Sequence, residues 1–133
     1  MSKILVVEDQ LALREGYVTI LKKAGYEVFE AADGMAAVIE AERVHPDVIL
    51  LDLLMPYMDG LTFLRKYDVR NKHTDVSVVI FSNSSAPSKV QEALEMGAKR
   101  YLIKAIVSPK KLLKIVEEEL ASKAAGAAPN PAS

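Results

Sequence analysis

Residues 48–60 read Val48-Ile49-Leu50-Leu51-Asp52-Leu53-Leu54-Met55-Pro56-Tyr57-Met58-Asp59-Gly60. An apolar run opens the stretch and a single carboxylate interrupts it. Met55-Pro56 and Asp59-Gly60 then frame a loop. A short run that is apolar at every position is the mark of a strand buried on both faces. The carboxylate at its end needs partners, because an unpaired buried charge is expensive.

Working outward, the same alternation appears on both sides. Ile4-Leu5-Val6-Val7 is a second apolar run, followed by Leu13, Tyr17, Ile20, Leu21 and Ala24 at helical steps of three and four. Gly25 stands where a helix C-cap glycine belongs. Tyr26 to Ala31 reads as a strand, and Gly34 to Val44 as a helix with Pro46 just beyond it. Downstream, Leu61, Leu64 and Tyr67 mark a third helix, and Val76 to Phe81 a fourth strand. Val90, Ala93, Leu94 and Gly97 fall on one face of a fourth helix. Arg100-Tyr101-Leu102-Ile103 is a short fifth strand. Ser108 then reads as an N-cap with Pro109 at the first helical position, before a last stripe of Leu112, Ile115, Val116 and Leu120.

Strands alternating with helices call for a parallel sheet covered on both faces. The first, third and fourth strands are nearly all apolar and belong in the centre. The second and fifth carry Glu27, Glu30, Lys99 and Arg100 and belong at the edges. The expected fold is therefore a flavodoxin-like (βα)5 three-layer sandwich of strand order 2-1-3-4-5.

The chain has 133 residues and a formal net charge of −1, which suits one soluble domain without a basic nucleic-acid surface. It has no cysteine, which excludes disulfides and thiolate metal sites. No apolar run approaches the ~18 residues of a membrane span. The reading is a soluble, cytoplasmic protein that binds neither membrane nor nucleic acid directly. The folded domain is placed at residues 1–121. Residues 122–133, rich in alanine and proline, read as a disordered tail or the start of a linker.

In an open parallel sheet the functional groups belong at the carboxyl ends of the strands, beside the switch in strand order. Those ends carry Glu8 and Asp9, Asp52, Ser82 with Asn83, and Lys104. Clustered carboxylates repel, and a hard divalent cation resolves the repulsion. An oxygen-only site favours Mg²⁺, with Mn²⁺ also compatible. Asp9 and Asp52 are candidate direct ligands, and Glu8 a candidate for a water-mediated role. A phosphoryl group on the same rim would be paired by Lys104 and would accept a hydrogen bond from the Ser82 hydroxyl. His45 and His73 lie away from this rim and are given no role.

Over about residues 2 to 121 the sequence resembles the receiver domain of response regulators, in particular stand-alone, chemotaxis-regulator-like ones. The resemblance rests on Ile4-Leu5-Val6-Val7-Glu8-Asp9, on Asp52 followed by Met55-Pro56 and Asp59-Gly60, and on Ser82, Tyr101 and Lys104. It implies that Asp52 is the phosphoacceptor of a two-component phosphorelay. The donor would be a phosphohistidine on a histidine kinase or a phosphotransfer protein. It adds the backbone carbonyl of Leu54 to the Mg²⁺ ligands, and makes Ser82 and Tyr101 the switch pair. The output partner would meet the face formed by the fourth helix, fifth strand and fifth helix. Such a domain is a switch, not an enzyme, and catalyses only its own phosphoryl transfer and autodephosphorylation.

Two positions depart from the family pattern. Asn83 replaces a small residue and is expected to alter phosphoryl lifetime. Ala105 replaces a proline, and a cis bond before a non-proline residue would cost ~3–4 kcal/mol, so a trans bond is expected there. Two alternatives come from other classes. One is a pseudo-receiver that is never phosphorylated. The other is a Mg²⁺-dependent phosphohydrolase, which lacks an acid/base carboxylate shortly after Asp52, because position 54 is Leu54.

Overall fold

The structure is a computed structural model that describes residues 1–55, 58–83 and 87–127. Pro56 and Tyr57 of the loop after Asp52, and residues 128–133 of the expected tail, lie outside the described residues.

Five parallel strands form one sheet: β1 (Lys3–Val7), β2 (Glu27–Ala31), β3 (Val48–Leu51), β4 (Ser77–Ser82) and β5 (Arg100–Ile103). Their order is β2-β1-β3-β4-β5, as the apolar and charged runs imply. Five helices connect and follow them: α1 (Leu11–Lys23), α2 (Gly34–Val44), α3 (Gly60–Tyr67), α4 (Pro87–Glu95) and α5 (Pro109–Ala127). A short 3-10 turn, Lys104–Ile106, links β5 to α5.

Strand side chains alternate between the two faces, and each face has its own core. Leu5, Val7, Ile49, Leu51, Val78 and Ile80 pack with Ala37, Ala41, Phe63, Leu64, Tyr67 and Ala93 of α2, α3 and α4. Ile4, Val6, Val48, Leu50, Val79 and Phe81 pack with Val18, Leu21, Leu112, Ile115 and Val116 of α1 and α5. Among the described residues, three helices begin on a side-chain cap. Asp33 accepts from the Ala36 amide at 2.8 Å, Asp59 from Thr62 at 2.9 Å, and Ser108 from Lys111 at 3.1 Å.

Two glycines bring the loops of one rim together. A Cβ on Gly60 would lie 2.7 Å from the Asp52 carbonyl oxygen, and one on Gly34 would lie 2.4 Å from that of Met58. The Gly34 amide donates to the Met58 carbonyl at 3.1 Å. The starts of α2 and α3 therefore close directly onto the segment that carries Asp52.

The structure differs from the sequence reading at several ends. Gly97 is not on the fourth helix: α4 stops at Glu95, and Gly97 turns the chain at φ +109°. The Ala98 amide donates to Ala93 and the Gly97 amide to Leu94, a Schellman closure that needs this left-handed residue. Strand β2 starts at Glu27 rather than Tyr26. Strand β4 is shifted by one residue, so that it ends on Ser82. Helix α5 continues past Ala121 to Ala127, because alanine-rich sequence is strongly helix-forming as well as compositionally simple. In the continuation, Lys123 Nζ meets Asp47 Oδ1 at 3.2 Å. No peptide bond among the described residues is cis, so the Lys104–Ala105 bond is trans as expected.

Candidate functional site

The carboxyl ends of β1, β3, β4 and β5 converge on a single rim. Asp52 follows β3, and its amide extends the sheet by donating to the Val7 carbonyl at 3.1 Å. Glu8 follows β1 and donates in the same way to Ala31 at 3.1 Å. These bonds fix both backbones side by side. One carboxylate oxygen from each of Glu8, Asp9 and Asp52 lies within 4.8 Å of the other two. Glu8 and Asp52 are buried, at 2% and 5% exposure, whereas Asp9 is exposed.

Lys104 enters this acidic group from the end of β5. Its ammonium donates to Asp52 Oδ2 at 2.8 Å and also pairs with Glu8 Oε1, with only 6% of its side chain exposed. The remaining oxygens are partly taken. Asp52 Oδ1 accepts from the Leu54 amide at 3.0 Å, and Glu8 Oε2 from the Gln10 amide at 3.0 Å. Asp9 has no hydrogen-bond partner among the described residues.

The electrostatics follow from burial and charge. Burial raises the Glu8 carboxyl above the ordinary range, and outweighs the lowering from Lys104 and the Gln10 amide. Burial works to lower the Lys104 ammonium, but the hydrogen bonds and charges of Asp52 and Glu8 outweigh it and hold Lys104 above the ordinary lysine value. One cation serves three acids, so the rim keeps room for further positive charge.

The switch candidates flank this group. Ser82 ends β4, fully buried and opposite Ile103 of β5. Tyr101 is half-buried against the core that α2, α3 and α4 cover. Asn83, directly after β4, is exposed. The Leu54 side chain is exposed, and its amide binds Asp52. His45 closes α2 in a left-handed conformation, and His73 stacks on Tyr67 with ring centroids 3.9 Å apart; neither joins the rim. The sequence reading passed over Arg14, whose guanidinium reaches the Glu8 carbonyl at 2.8 Å. Its position on α1, one turn past Gln10, was the available signal.

Comparison with known proteins agrees with this geometry. The family model of the response regulator receiver domain matches residues 4–117. The chain belongs to that family. This receiver domain is 34% identical over 105 residues to the chemotaxis protein CheY of Listeria monocytogenes, which covers 78% of this chain and 87% of that protein. It is 37% identical over 106 residues to the transcriptional regulatory protein YdfI of Bacillus subtilis, covering 78% of this chain and 48% of the regulator. The receiver domain thus spans about half the length of that relative and of others it matches. Among solved structures, the chemotaxis protein CheY4 of Vibrio cholerae superposes with a TM-score of 0.81 at 33% identity, covering 89% of this chain and 98% of that one. Receiver domains are signalling modules that act with histidine kinases or phosphotransfer proteins, and are not generally enzymes. Among the described residues no helix is long and apolar enough to cross a membrane.

Proposed function

We propose that this receiver domain is switched by transfer of a phosphoryl group to Asp52. The observation that carries the reading is the Glu8–Lys104–Asp52 arrangement beside Asp9: a buried carboxylate held by one lysine, within an acidic group short of cations. The donor is a phosphohistidine on a histidine kinase or phosphotransfer protein. An Asp52 carboxylate oxygen attacks the phosphorus in line; the O–P bond forms as the P–N bond to the histidine breaks. Lys104 then pairs with a phosphoryl oxygen, and the Ser82 hydroxyl donates to another.

The donor set fits a hard cation, since it offers only oxygens. Asp9 and Asp52, with the Leu54 carbonyl, would hold Mg²⁺, or Mn²⁺ in its place. Glu8 would act through water, because Lys104 and the Gln10 amide already occupy its two oxygens. The bound ion supplies neutralisation of charge on the phosphoryl oxygens. As Ser82 engages the phosphoryl group, Tyr101 turns inward, and the face of α4, β5 and α5 changes its affinity for a downstream protein. Leu94 of α4 and Ile103 of β5 are exposed apolar side chains. A switch of this kind requires a partner that binds the two states unequally. The setting is cytoplasmic, with no direct contact to nucleic acid or membrane.

Intact-mass measurement after incubation with acetyl phosphate and Mg²⁺ tests the reading. One added phosphoryl group is expected on the native protein and none on Asp52→Asn. Absence of an adduct from both acetyl phosphate and a kinase would identify a pseudo-receiver instead.

A further inference from the structure

Helix α1 begins differently from α2, α3 and α5. Its N-cap residue, Gln10, makes no side-chain cap hydrogen bond, whereas the other three start on Asp33, Asp59 and Ser108. Yet the turn that leads into it, Glu8-Asp9-Gln10, carries two of the three rim carboxylates. Those carboxylates repel one another and Asp52, so the turn needs something to hold it inward.

The Arg14 side chain fastens the start of that turn, and the first backbone bond of the helix closes its end. The Arg14 backbone amide donates to the Gln10 carbonyl at 2.9 Å, and Arg14 Nη1 donates to the Glu8 carbonyl at 2.8 Å. Its Nε donates to Glu30 Oε1 at 2.9 Å, which anchors the guanidinium on β2. Only 15% of the Arg14 side chain is exposed, so the group is held in one place. The planar guanidinium permits two directed bonds at once, which an ammonium cannot reproduce in the same geometry.

We propose that Arg14 is a positioning residue for the acidic rim: anchored on Glu30, it grips the Glu8 carbonyl and sets the β1–α1 turn so that Glu8 and Asp9 face Asp52. The inference rests on the proposed cation-dependent phosphorylation, and touches neither the cation nor the phosphoryl group directly. The Arg14 contact comes from one helical turn beyond the turn it holds, and it ties the end of β1 to the start of α1.

The test is the Mg²⁺ dissociation constant, measured by calorimetric titration, beside the rate of phosphorylation by acetyl phosphate. Charge and position here predict opposite signs. Arg14→Ala removes a positive charge near the rim, so electrostatics alone would tighten Mg²⁺ binding. Loss of positioning weakens it by about tenfold, the usual scale for partners that orient ligands. Arg14→Lys is expected to recover part of the loss. The double variant Arg14→Ala with Glu30→Gln leaves the net charge unchanged and should be as weak as Arg14→Ala. Arg100→Ala, which removes an arginine bound to Glu118 and Glu119 away from the rim, should leave Mg²⁺ affinity unaltered.

Unchanged or tighter Mg²⁺ binding in Arg14→Ala overturns the inference, as does equal weakening in Arg100→Ala. If Arg14→Ala does not fold, the charge-conserving Arg14→Lys decides: Mg²⁺ binding weaker than in the native protein is expected, and unchanged binding rejects the idea. A native protein that neither binds Mg²⁺ nor takes up a phosphoryl group removes the proposed function itself, and this inference with it.

Discussion

At the carboxyl ends of the strands, Glu8 and Asp52 share one buried cation, Lys104, with the exposed carboxylate of Asp9 beside them. At the amino ends, acids meet cations on more even terms. Asp47 receives the Lys3 amide at 2.8 Å and the Lys123 ammonium at 3.2 Å, and Arg100 holds Glu118 and Glu119. The same kinds of residue stand at both ends of one sheet. Balanced pairs tie elements together, whereas an excess of buried negative charge stores a demand for a cation. That imbalance, more than the presence of acids, distinguishes the rim as a site.

The largest test of this contrast is Lys104→Met. It leaves Glu8 and Asp52 buried without their cation, and should cost ~3 kcal/mol in urea unfolding at neutral pH. The deficit should shrink as pH falls. Burial already raises the Glu8 carboxyl, so it takes up a proton early and relieves the repulsion. A pH-independent deficit would mean that Lys104 matters through packing alone.

Next comes the amino end, where Tyr67 is buried with no hydrogen-bond partner for its hydroxyl among the described residues. Burial, then the charges of Asp75 and Glu42, push its pKa up to about 12. The unfolded chain ionises its tyrosines near ~10, so it loses the proton first. Stability from this group is therefore present below about pH 10 and is lost between about 10 and 12, by roughly 2 kcal/mol. Denaturant melts across that range, repeated on Tyr67→Phe, check it; the decline should be smaller in the variant, with Tyr17, Tyr26 and Lys104 supplying the rest, and the variant should be no less stable at neutral pH.

A smaller effect carries the contrast most directly. Asp47→Asn should destabilise by ~1 kcal/mol, since it weakens two contacts. The same change at Asp9 should be neutral or stabilising by up to ~1 kcal/mol, because it only relieves repulsion. Matching signs in thermal or urea melts would break the comparison. Smallest of all, Asn83→Ala should leave stability within ~0.5 kcal/mol, as surface changes usually do. It should still change the autodephosphorylation rate, and an unchanged phosphoryl lifetime would remove Asn83 from the site.

The fold was legible because its strands are short apolar runs, and because charge separates edge strands from central ones. Asp52, Glu8, Ser82 and Lys104 were legible as a group because each directly follows or ends such a run. Pairing of Lys104 with Asp52 and Glu8 was not, since residue order gives strand ends but not which side chains cross between them. Arg14 was hidden for a related reason: apolar periodicity marks what a helix buries, and a lysine or arginine between those positions reads as solvated. Gly97 fits the helical spacing of Val90, Ala93 and Leu94, and only its backbone conformation shows that it ends the turn. Alanines after Ala121 carry two signals at once, low complexity and high helix propensity, and composition alone does not rank them. Tyr67 read simply as core, because an apolar stripe takes no account of a hydroxyl.

Gly34 and Gly60 have a bearing on how this rim would look to a genetic screen. Neither offers a functional group, yet each occupies a space that a single methyl would fill against Met58 or the Asp52 backbone. An alanine scan works by removing atoms, and at these two positions it would add them. Both would then score as strongly as an acid of the rim, for a reason of volume alone. A map of essential positions on this domain would outline the frame around Asp52 as well as the chemistry inside it.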